Sequence, residues 1–378
     1  MVVNLDEMRK AMIFNLGAVK RNDKSEEKYF RMKINNGKLL ISGENIYYKS
    51  IYSFDCSNDI DIDVGVSIAV QELIDKIPSS IKEVDISLSQ DGLLIGFDKN
   101  KYTFPVKDIY DDNNFSMDKS DSFTINKDSF IKSLDLCFFP NIGKDCTDKS
   151  YDSLYLKLFN HKSNNRMRMM YTNTLLINIV ENKEIKSTID SSTSYDITID
   201  SEAVIEIKRM IELFNEENIT IKIDKDQIYF ILKDNAIFQT FLKDSNKFEK
   251  VFEASKGNFS QLVRLKYNEI YPTLSRLSLF SKKDSDIILD INKNEITIGL
   301  DNVNNVAVND LVEKISIEEE SKSQNTISLK FSYFHDLVKC SKDDLCIFVD
   351  DNKNVVNIVK SNKGENGEIK SCYIMSKR

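Results

Sequence analysis

The chain has no tryptophan and only two histidines, four prolines and eleven glycines in 378 residues. So few glycines and prolines argue against collagen-like and linker-rich architectures. The motifs GxGxxG, GxxxxGK[ST] and GxSxG are all missing from the sequence, which disfavours the common phosphate-binding and nucleophile-elbow chemistries. His161 and His335 lie in different thirds of the chain beside charged neighbours, so we expect both to be surface residues. We therefore expect neither an enzyme nor a cofactor.

The cysteines follow no metal-binding or disulfide pattern. There is no CxxC pair, and nothing completes a zinc set around Cys340 and Cys346. The acidic run Asp59–Gly65 lacks the glycine and glutamate that a calcium loop requires, and it is better explained as a strand with one acidic face. We expect six reduced thiols in a cytoplasmic protein. The cysteines are Cys56, Cys137, Cys146, Cys340, Cys346 and Cys372.

Long apolar runs are also missing. The longest stretch without charge lies between Arg168 and Glu181, which is too short to span a bilayer. The N-terminal residues MVVNLDEMRK lack the pattern of a signal peptide, and the cysteine of the terminal CYIMSKR lies too far from the end for prenylation. The expectation is a cytoplasmic chain without a membrane partner.

The composition that is present fits a folded protein of two to three domains. The sequence is 41% hydrophobic and 30% charged, which excludes a largely disordered chain. Its net charge of -8 is wrong for a protein that coats nucleic acid with its whole surface. Any contact with nucleic acid would have to come from a local basic surface.

A repeated unit of strand, helix and three strands runs through the sequence. It is clearest between Tyr195 and Asp244, where a short alternating strand is followed by an apolar helix face and then by strand-like runs from Ile221, Ile228 and Ile237. The apolar positions of that helix recur at three and four residues. They are Ala203, Val204, Ile207, Met210, Ile211 and Phe214.

The same unit recurs with predicted helix starts near residues 5, 67, 127, 201, 268 and 332. Six similar half-domains pair into three domains of a common size, at residues 1–120, 121–254 and 255–378. Asp108–Asp121 and Glu253–Asn258 are predicted as the two connectors. The fold class is α+β, with three similar domains that each pack two helices on antiparallel sheets. Because exposed sheet edges are a liability, such a repeat can close by pairing its edges.

The predicted helices are slightly more basic than the rest of the chain. Their formal charges sum to +3, which leaves -11 for all other residues. The excess is small, and ordinary scatter explains it equally well. Its sign suits a molecule whose helices face a polyanion.

Taken together, the sequence resembles the bacterial sliding clamp, the beta subunit of DNA polymerase III, over essentially its full length. The resemblance rests on Ile197–Phe252, on the stretch Val263–Ser281 and on the C-terminal CYIMSKR, all in register with the threefold repeat. It implies the DNA clamp fold and a head-to-tail homodimer closed into a ring with helices lining the hole. It also implies sequence-independent binding of double-stranded DNA, a DNA polymerase as partner, and an ATP-driven clamp loader.

The resemblance also implies two sets of functional residues. Basic side chains of the helical segments would face DNA, although each is at least as well explained as a solvated surface charge: Lys20, Arg21, Lys132, Lys208, Arg209, Arg276, Lys282 and Lys283. A hydrophobic pocket for partner peptides would be lined by Leu154, Thr172, Asn173, Thr174, Leu175, Leu176, Ile177, Lys250, Val251, Tyr373, Ile374, Met375, Ser376, Lys377 and Arg378. For these residues, strand core is the competing explanation.

Several pocket positions depart from the family pattern. The Gly, His and Arg that follow the threonine equivalent to Thr172 are missing, SNK replaces Phe-Pro-Asp before Lys250, and Ser376 stands where proline is usual. The segment RLSLF at Arg276–Phe280 looks like a peptide that inserts into clamps. We interpret it instead as helix, with Leu274, Leu277 and Phe280 at core spacing.

Three functions remain open at this point. The first is a sliding clamp that tethers the replicative polymerase, and the second is a divergent clamp paralogue that serves repair or a plasmid or phage polymerase. The third is a repeat scaffold that binds no DNA. The altered pocket residues favour the second somewhat, and retention on DNA separates both clamps from the scaffold.

Overall fold

The computed structural model describes residues 1–20, 29–57, 62–108, 121–137, 152–161, 164–173, 176–182, 185–187, 194–224, 227–233, 236–241, 246–255, 258–282, 284–301, 311–317, 321, 324–350, 355–360 and 369–375. The helices within these ranges are α1 (Leu5–Lys20), α2 (Ile68–Lys76), α3 (Lys127–Cys137), α4 (Ser201–Glu212), α5 (Asn246–Ala254), α6 (Tyr267–Leu277) and α7 (Phe331–Ser341). None of them is long and apolar enough to cross a membrane.

The strands of the first half of the chain are β1 (Val2–Asn4), β2 (Tyr29–Asn35), β3 (Lys38–Glu44), β4 (Tyr48–Asp55), β5 (Asp63–Ser67), β6 (Glu83–Ser89), β7 (Gly92–Phe97), β8 (Asn100–Phe104), β9 (Val106–Lys107), β10 (Asp121–Asn126), β11 (Ser153–His161), β12 (Asn164–Thr172), β13 (Leu176–Asn182) and β14 (Ile185–Ser187). Those of the second half are β15 (Tyr195–Asp200), β16 (Asn218–Asp224), β17 (Gln227–Lys233), β18 (Ala236–Phe241), β19 (Phe259–Leu265), β20 (Asp286–Ile291), β21 (Glu295–Leu300), β22 (Val312–Ser316), β23 (Asn325–Lys330), β24 (Leu345–Asp350), β25 (Val355–Lys360) and β26 (Ile369–Met375).

The chain forms two compact units. Unit 1 comprises Met1–Lys127, Lys186–Ile189 and Glu202–Lys243, and unit 2 comprises Asp128–Ile185, Asp190–Ser201 and Asp244–Arg378. Residues of the predicted second domain contribute to both units. The division into three domains at 1–120, 121–254 and 255–378 therefore stays a prediction.

Unit 1 contains two sheets with helices packed on them. Its ten-stranded sheet has the order β14-β10-β16-β17-β18-β4-β3-β2-β5-β9, and its four-stranded sheet the order β1-β6-β7-β8. The pairing of β18 with β4 joins strands from the first and second thirds of the chain. The face of α1 that carries Leu5, Met8 and Met12 is buried, as its apolar spacing predicts. Asn4 caps this helix by accepting a hydrogen bond from the Glu7 amide at 3.0 Å.

Unit 2 repeats this plan. Its eight-stranded sheet has the order β15-β11-β12-β13-β26-β25-β24-β19, and its four-stranded sheet the order β22-β21-β20-β23. All of the register pairs in both sheets are antiparallel, which confirms the predicted sheet type. The eight-stranded sheet includes β13 paired with β26, so that Ile177 lies opposite Tyr373.

The start of one predicted connector and the end of one predicted helix differ from the structure. The predicted connector Glu253–Asn258 begins inside α5, because Phe248 and Phe252 place two aromatic side chains on one helical face. The helix predicted to start near residue 268 and to include Arg276–Phe280 stops at Leu277, where the amides of Leu279 and Phe280 donate to carbonyls three residues back. Leu274 and Leu277 are buried as predicted, whereas Phe280 is only half-buried. The connector Asp108–Asp121 lies almost wholly outside the described residues.

Candidate partner-binding site and nucleic-acid interface

The strands β11, β12 and β13 present one continuous face under α5. Residues that oppose each other in antiparallel strands lie on the same face of a sheet. Tyr155 pairs with Met170, Met170 with Ile179, and Thr172 with Ile177, so these side chains share that face. Leu154 and Leu176 alternate with them and lie on the opposite face. Tyr155 therefore shares a face with Thr172 and Ile177, and the role of the predicted Leu154 in a pocket stays a prediction.

α5 covers this face with aromatic side chains. The Phe248 ring stacks on the Tyr155 ring, with centroids 5.4 Å apart and planes 16° from parallel. Tyr155, Met170, Ile179 and Phe248 form a buried cluster, and the half-buried Ile177 and Phe252 pack at its rim. We call these six residues the α5 cluster. The sequence analysis missed α5, although the spacing of the two phenylalanines was a signal for it.

Charged side chains surround the cluster in neutralised pairs. The Tyr155 hydroxyl donates to Asp196, and Lys157 lies 2.9 Å from the same carboxylate. Burial, followed by the contact with Asp196, raises the pKa of Tyr155 far above its ordinary value, so its hydroxyl stays protonated. Arg168 donates to Glu181 at 2.6 Å, and its guanidinium lies 4.1 Å from the centroid of the Phe252 ring. The rim therefore combines apolar surface with a held cation.

The turn between β12 and β13 is tied to α7. The Asn173 side chain accepts a hydrogen bond from the Leu176 amide at 2.9 Å, and its own amide donates to the Tyr333 hydroxyl at 2.6 Å. Asn173 is 1% and Tyr333 2% exposed, so neither group has water as an alternative partner. Asn173 thus fixes the turn that carries Thr172 and Ile177. Tyr333 was not predicted as part of this site, because nothing in the sequence links two residues so far apart.

The remaining predicted pocket residues are only partly described. Lys250 is exposed on α5, and Val251 follows it in the same helix. Tyr373, Ile374 and Met375 belong to β26, the neighbour of β13. The other predicted pocket residues lie outside the described residues: Thr174, Leu175, Ser376, Lys377 and Arg378.

Of the predicted DNA-facing cations, Lys20, Lys132 and Lys282 are exposed. Lys208 lies 4.0 Å from Glu212 on α4. Arg21 and Lys283 lie outside the described residues.

Of the three predicted DNA-facing arginines, the two that the structure describes are held by the protein itself. Arg209 donates from Nε to Glu206 at 2.7 Å and from both terminal nitrogens to the carbonyls of Ile13 and Phe14 at 3.1 Å each. Arg276 donates to Glu313 from Nε at 2.9 Å and again from Nη2. This contact lowers the pKa of Glu313, which keeps the carboxylate charged beside the arginine. The positive charge of each arginine is therefore partly balanced by a neighbouring carboxylate, which the sequence alone does not show.

Comparison with known structures identifies the fold. The Caulobacter crescentus DNA polymerase sliding clamp matches with a TM-score of 0.83 at 15% identity, covering 100% of this chain and 99% of that one. The Pseudomonas aeruginosa DNA polymerase sliding clamp matches with a TM-score of 0.81 at 14% identity and the same coverage. The DNA polymerase III beta subunit of Thermotoga maritima matches with a TM-score of 0.80 at 12% identity, covering 100% and 98%.

The chain therefore has the fold of the bacterial sliding clamps, and the predicted α+β clamp fold is confirmed. No family model matches the sequence, and no curated protein matches it either. The low identity agrees with a divergent member of this structural class. Within the described ranges, no three His, Cys, Asp or Glu side chains are grouped so that they could hold a metal ion.

Proposed function

We propose that the chain is a DNA sliding clamp, a cytoplasmic ring that encircles duplex DNA and tethers the replicative DNA polymerase and other partners. It would perform no reaction itself, and a separate ATP-driven clamp loader would open it. The observation that supports the proposal is the fold shared over the whole chain with DNA polymerase sliding clamps. A closed ring holds DNA topologically, so it needs few tight phosphate contacts and no base readout.

Two copies joined head to tail would close the ring. Among the described strands, β8 ends one four-stranded sheet and β22 ends the other. Tyr102 on β8 is 42% exposed, Val312 on β22 is 52% exposed, and Leu279 is 77% exposed just after α6. An exposed apolar edge invites pairing with another chain. Pairing β8 of one copy with β22 of the next would cover both edges.

The α5 cluster would receive the partner peptides. Ile177 and Phe252 offer half-buried apolar surface at its rim, and the Asn173 turn holds the neighbouring strand ends in place. Apolar side chains of a short peptide suit such a groove. Arg168, 4.1 Å from the centroid of the Phe252 ring and paired with Glu181, would hold that ring in place at the rim.

The test of the clamp function is topological. The protein is loaded on a nicked circular plasmid with its matching loader and ATP and then passed through gel filtration at high salt. We expect it to stay on the circle and to be lost once the plasmid is linearised. Equal, salt-sensitive binding to both forms would contradict a closed ring, and no binding at all would favour the scaffold that binds no DNA.

A divergent clamp paralogue is the second candidate. The replaced residues around Thr172, Lys250 and Ser376 favour it, because a changed pocket selects different peptides. Pulldown with peptides from the replicative polymerase and from repair or plasmid-encoded polymerases separates the two. Capture only by the latter would support the paralogue.

A further inference from the structure

Four rings form a ladder across α6 and α7. The Tyr267 and Tyr271 rings stack with centroids 5.2 Å apart and planes 10° from parallel. Tyr271 and His335 follow at 6.3 Å and 13°, and His335 and Phe331 at 5.6 Å and 9°. Tyr267, Tyr271 and His335 are half-buried, whereas Phe331 is 4% exposed. Three of the four rings therefore reach the surface.

The ladder follows the internal repeat. Tyr267 and Tyr271 are the first and fifth residues of α6, and Phe331 and His335 are the first and fifth of α7, 64 residues later. A lysine is the N-cap of each helix, Lys266 in one and Lys330 in the other. Rings four residues apart lie on the same face of a helix. The two helices thus present the same pattern of lysine followed by two rings.

The other helices of the repeat lack this pattern. The first and fifth residues are Leu5 and Arg9 in α1, and Lys127 and Ile131 in α3. In α2 and α4 these positions hold Ile68 with Glu72 and Ser201 with Ile205, and none of the four helices is preceded by a basic residue. Four of the six repeated helices form without aromatic residues at their first and fifth positions. The presence of the ladder in the last two therefore points to a ligand.

We infer that Tyr267, Tyr271 and His335 form a stacking platform for unpaired bases of single-stranded DNA, with Tyr267 as the ring that receives the base. Tyr267 is the half-buried end of the column, so a base on its outer face would extend the stack. Arg264 and Lys266 precede it in the chain, and Glu269 follows closely. Asp344 accepts a hydrogen bond from the Tyr267 backbone amide at 3.0 Å and pairs with Arg264 at 3.0 Å. Lys266 is the cation beside the ring that we expect to meet a phosphate. Aromatic rings that lie beside cationic side chains bind single-stranded nucleic acid without recognising its sequence.

This inference rests on the proposed function, since it takes DNA to be the polyanion that meets α6 and α7. A duplex keeps its bases stacked on each other, whereas a single strand next to a primer end exposes base faces. Stacking on any base tolerates movement along the strand. The platform would let a clamp hold the unpaired template beside the duplex that it encircles.

The test measures binding of a fluorescent oligo-dT of twelve nucleotides to the full chain at low salt. Removing one base–aromatic stack is expected to weaken binding roughly tenfold, the equivalent of about 1.4 kcal/mol. We expect this loss in Tyr267→Leu and affinity within twofold of the parent in Tyr267→Phe, which keeps the ring. Tyr47→Leu, a half-buried tyrosine in the β3–β4 turn outside both the ladder and the proposed ring interface, is the matched control. Equal affinity of the parent and Tyr267→Leu, or no binding by the parent, would overturn the inference.

A second measurement does not depend on a folded variant. An oligo-dT with one 5-iodouracil is photocrosslinked to the parent protein, and the linked peptide is identified by mass spectrometry. A crosslink at Tyr267 or Tyr271 supports the platform, and crosslinks only elsewhere contradict it. Retention of Tyr267→Leu on nicked circles would show that the clamp function survives independently of the platform.

Discussion

At the residue scale, buried polar side chains fix the candidate site through single hydrogen bonds. Asn173 and Tyr333 satisfy each other in a place that water does not reach. Leaving one buried partner unsatisfied costs more than the bond itself contributes, because the remaining group has lost its hydration. Removing one partner of this hydrogen bond should therefore lower the free energy of unfolding measurably.

Tyr333→Phe removes the hydroxyl and leaves the ring in place. We expect the free energy of unfolding to fall by about 1–2 kcal/mol, since the Asn173 amide loses its acceptor. Urea unfolding of both proteins measures the change. Tyr229→Phe is the control, because that hydroxyl bonds to Gln227 at a partly exposed position and its loss should cost less than about 0.5 kcal/mol. Equal effects would show that the Asn173 contact does not hold the turn.

Ionisation of the Tyr155 hydroxyl makes the free energy of unfolding depend on pH in the alkaline range. Its folded-state pKa is raised by burial and by Asp196, so the stabilisation is complete below the unfolded-state pKa near 10. It is lost as the pH rises towards the folded value, by about 1.4 kcal/mol per pH unit. The stability advantage of the parent over Tyr155→Phe should therefore shrink between pH 10 and pH 11. Urea unfolding at pH 8, 10 and 11 tests this, and a constant difference would contradict the shift.

At the element scale, close packing of helices on sheets limits the size of the side chains that a strand can carry. A methyl group at Gly43 in β3 would lie 2.9 Å from the Asn15 carbonyl oxygen of α1 and 3.1 Å from the Ala18 side chain. Asn15 is itself fixed by hydrogen bonds to the carbonyls of Ala11 and Ile41. The helix backbone cannot yield locally without breaking them.

Gly43→Ala should therefore destabilise the protein by about 1–3 kcal/mol, the usual cost of overpacking. Gly96→Ala is the matched control, because its methyl group would meet nothing nearer than 3.7 Å. Thermal unfolding of both variants compares them directly. If the two melt together, α1 must be able to shift away from β3.

α5 shows what the sequence could and could not predict. The six helices of the repeat begin within one residue of their predicted positions, because periodic apolar residues and a repeat signal both mark them. α5 lies outside the repeat, and its nine residues contain only a short apolar pattern. Likewise, the side of the sheet that Leu154 faces depends on strand register, and a shift of one residue exchanges the two faces. Register depends on pairing between strands, which a motif match does not give.

The role of α5 is testable through its two phenylalanines. Phe248→Ala should lower the free energy of unfolding by about 3–5 kcal/mol, since the ring is 1% exposed and stacks on Tyr155. Phe252→Ala should cost less stability, because that ring is half-buried, and should weaken binding of a partner peptide. Fluorescence anisotropy with a labelled peptide and urea unfolding give the two readouts. Loss of stability without loss of peptide binding in Phe252→Ala would place the peptide elsewhere.

At the scale of the whole molecule, the net charge of -8 and the basic bias of the helices suit a ring that is acidic overall. The structure sharpens this point, because Arg209 and Arg276 are neutralised by Glu206 and Glu313. The exposed lysines Lys20, Lys132 and Lys282 remain as the candidates for loose phosphate contacts. Few such contacts would suit the proposed sliding clamp, in which closure of the ring would hold the DNA.

In the proposed ring, closure would depend on exposed apolar side chains, so a charge placed at one of them should open it. Leu279→Lys puts a cation at a side chain that is 77% exposed just after α6, where desolvation in an interface would be costly. We expect sedimentation velocity to show a shift from dimer to a folded monomer of 43.6 kDa. Ile46→Lys, at a 40% exposed side chain in the β3–β4 turn, should leave the dimer intact. A dimer that persists in Leu279→Lys would place the contact between copies away from this edge. Of the two variants, only the one that loses the dimer should also lose its retention on circular DNA.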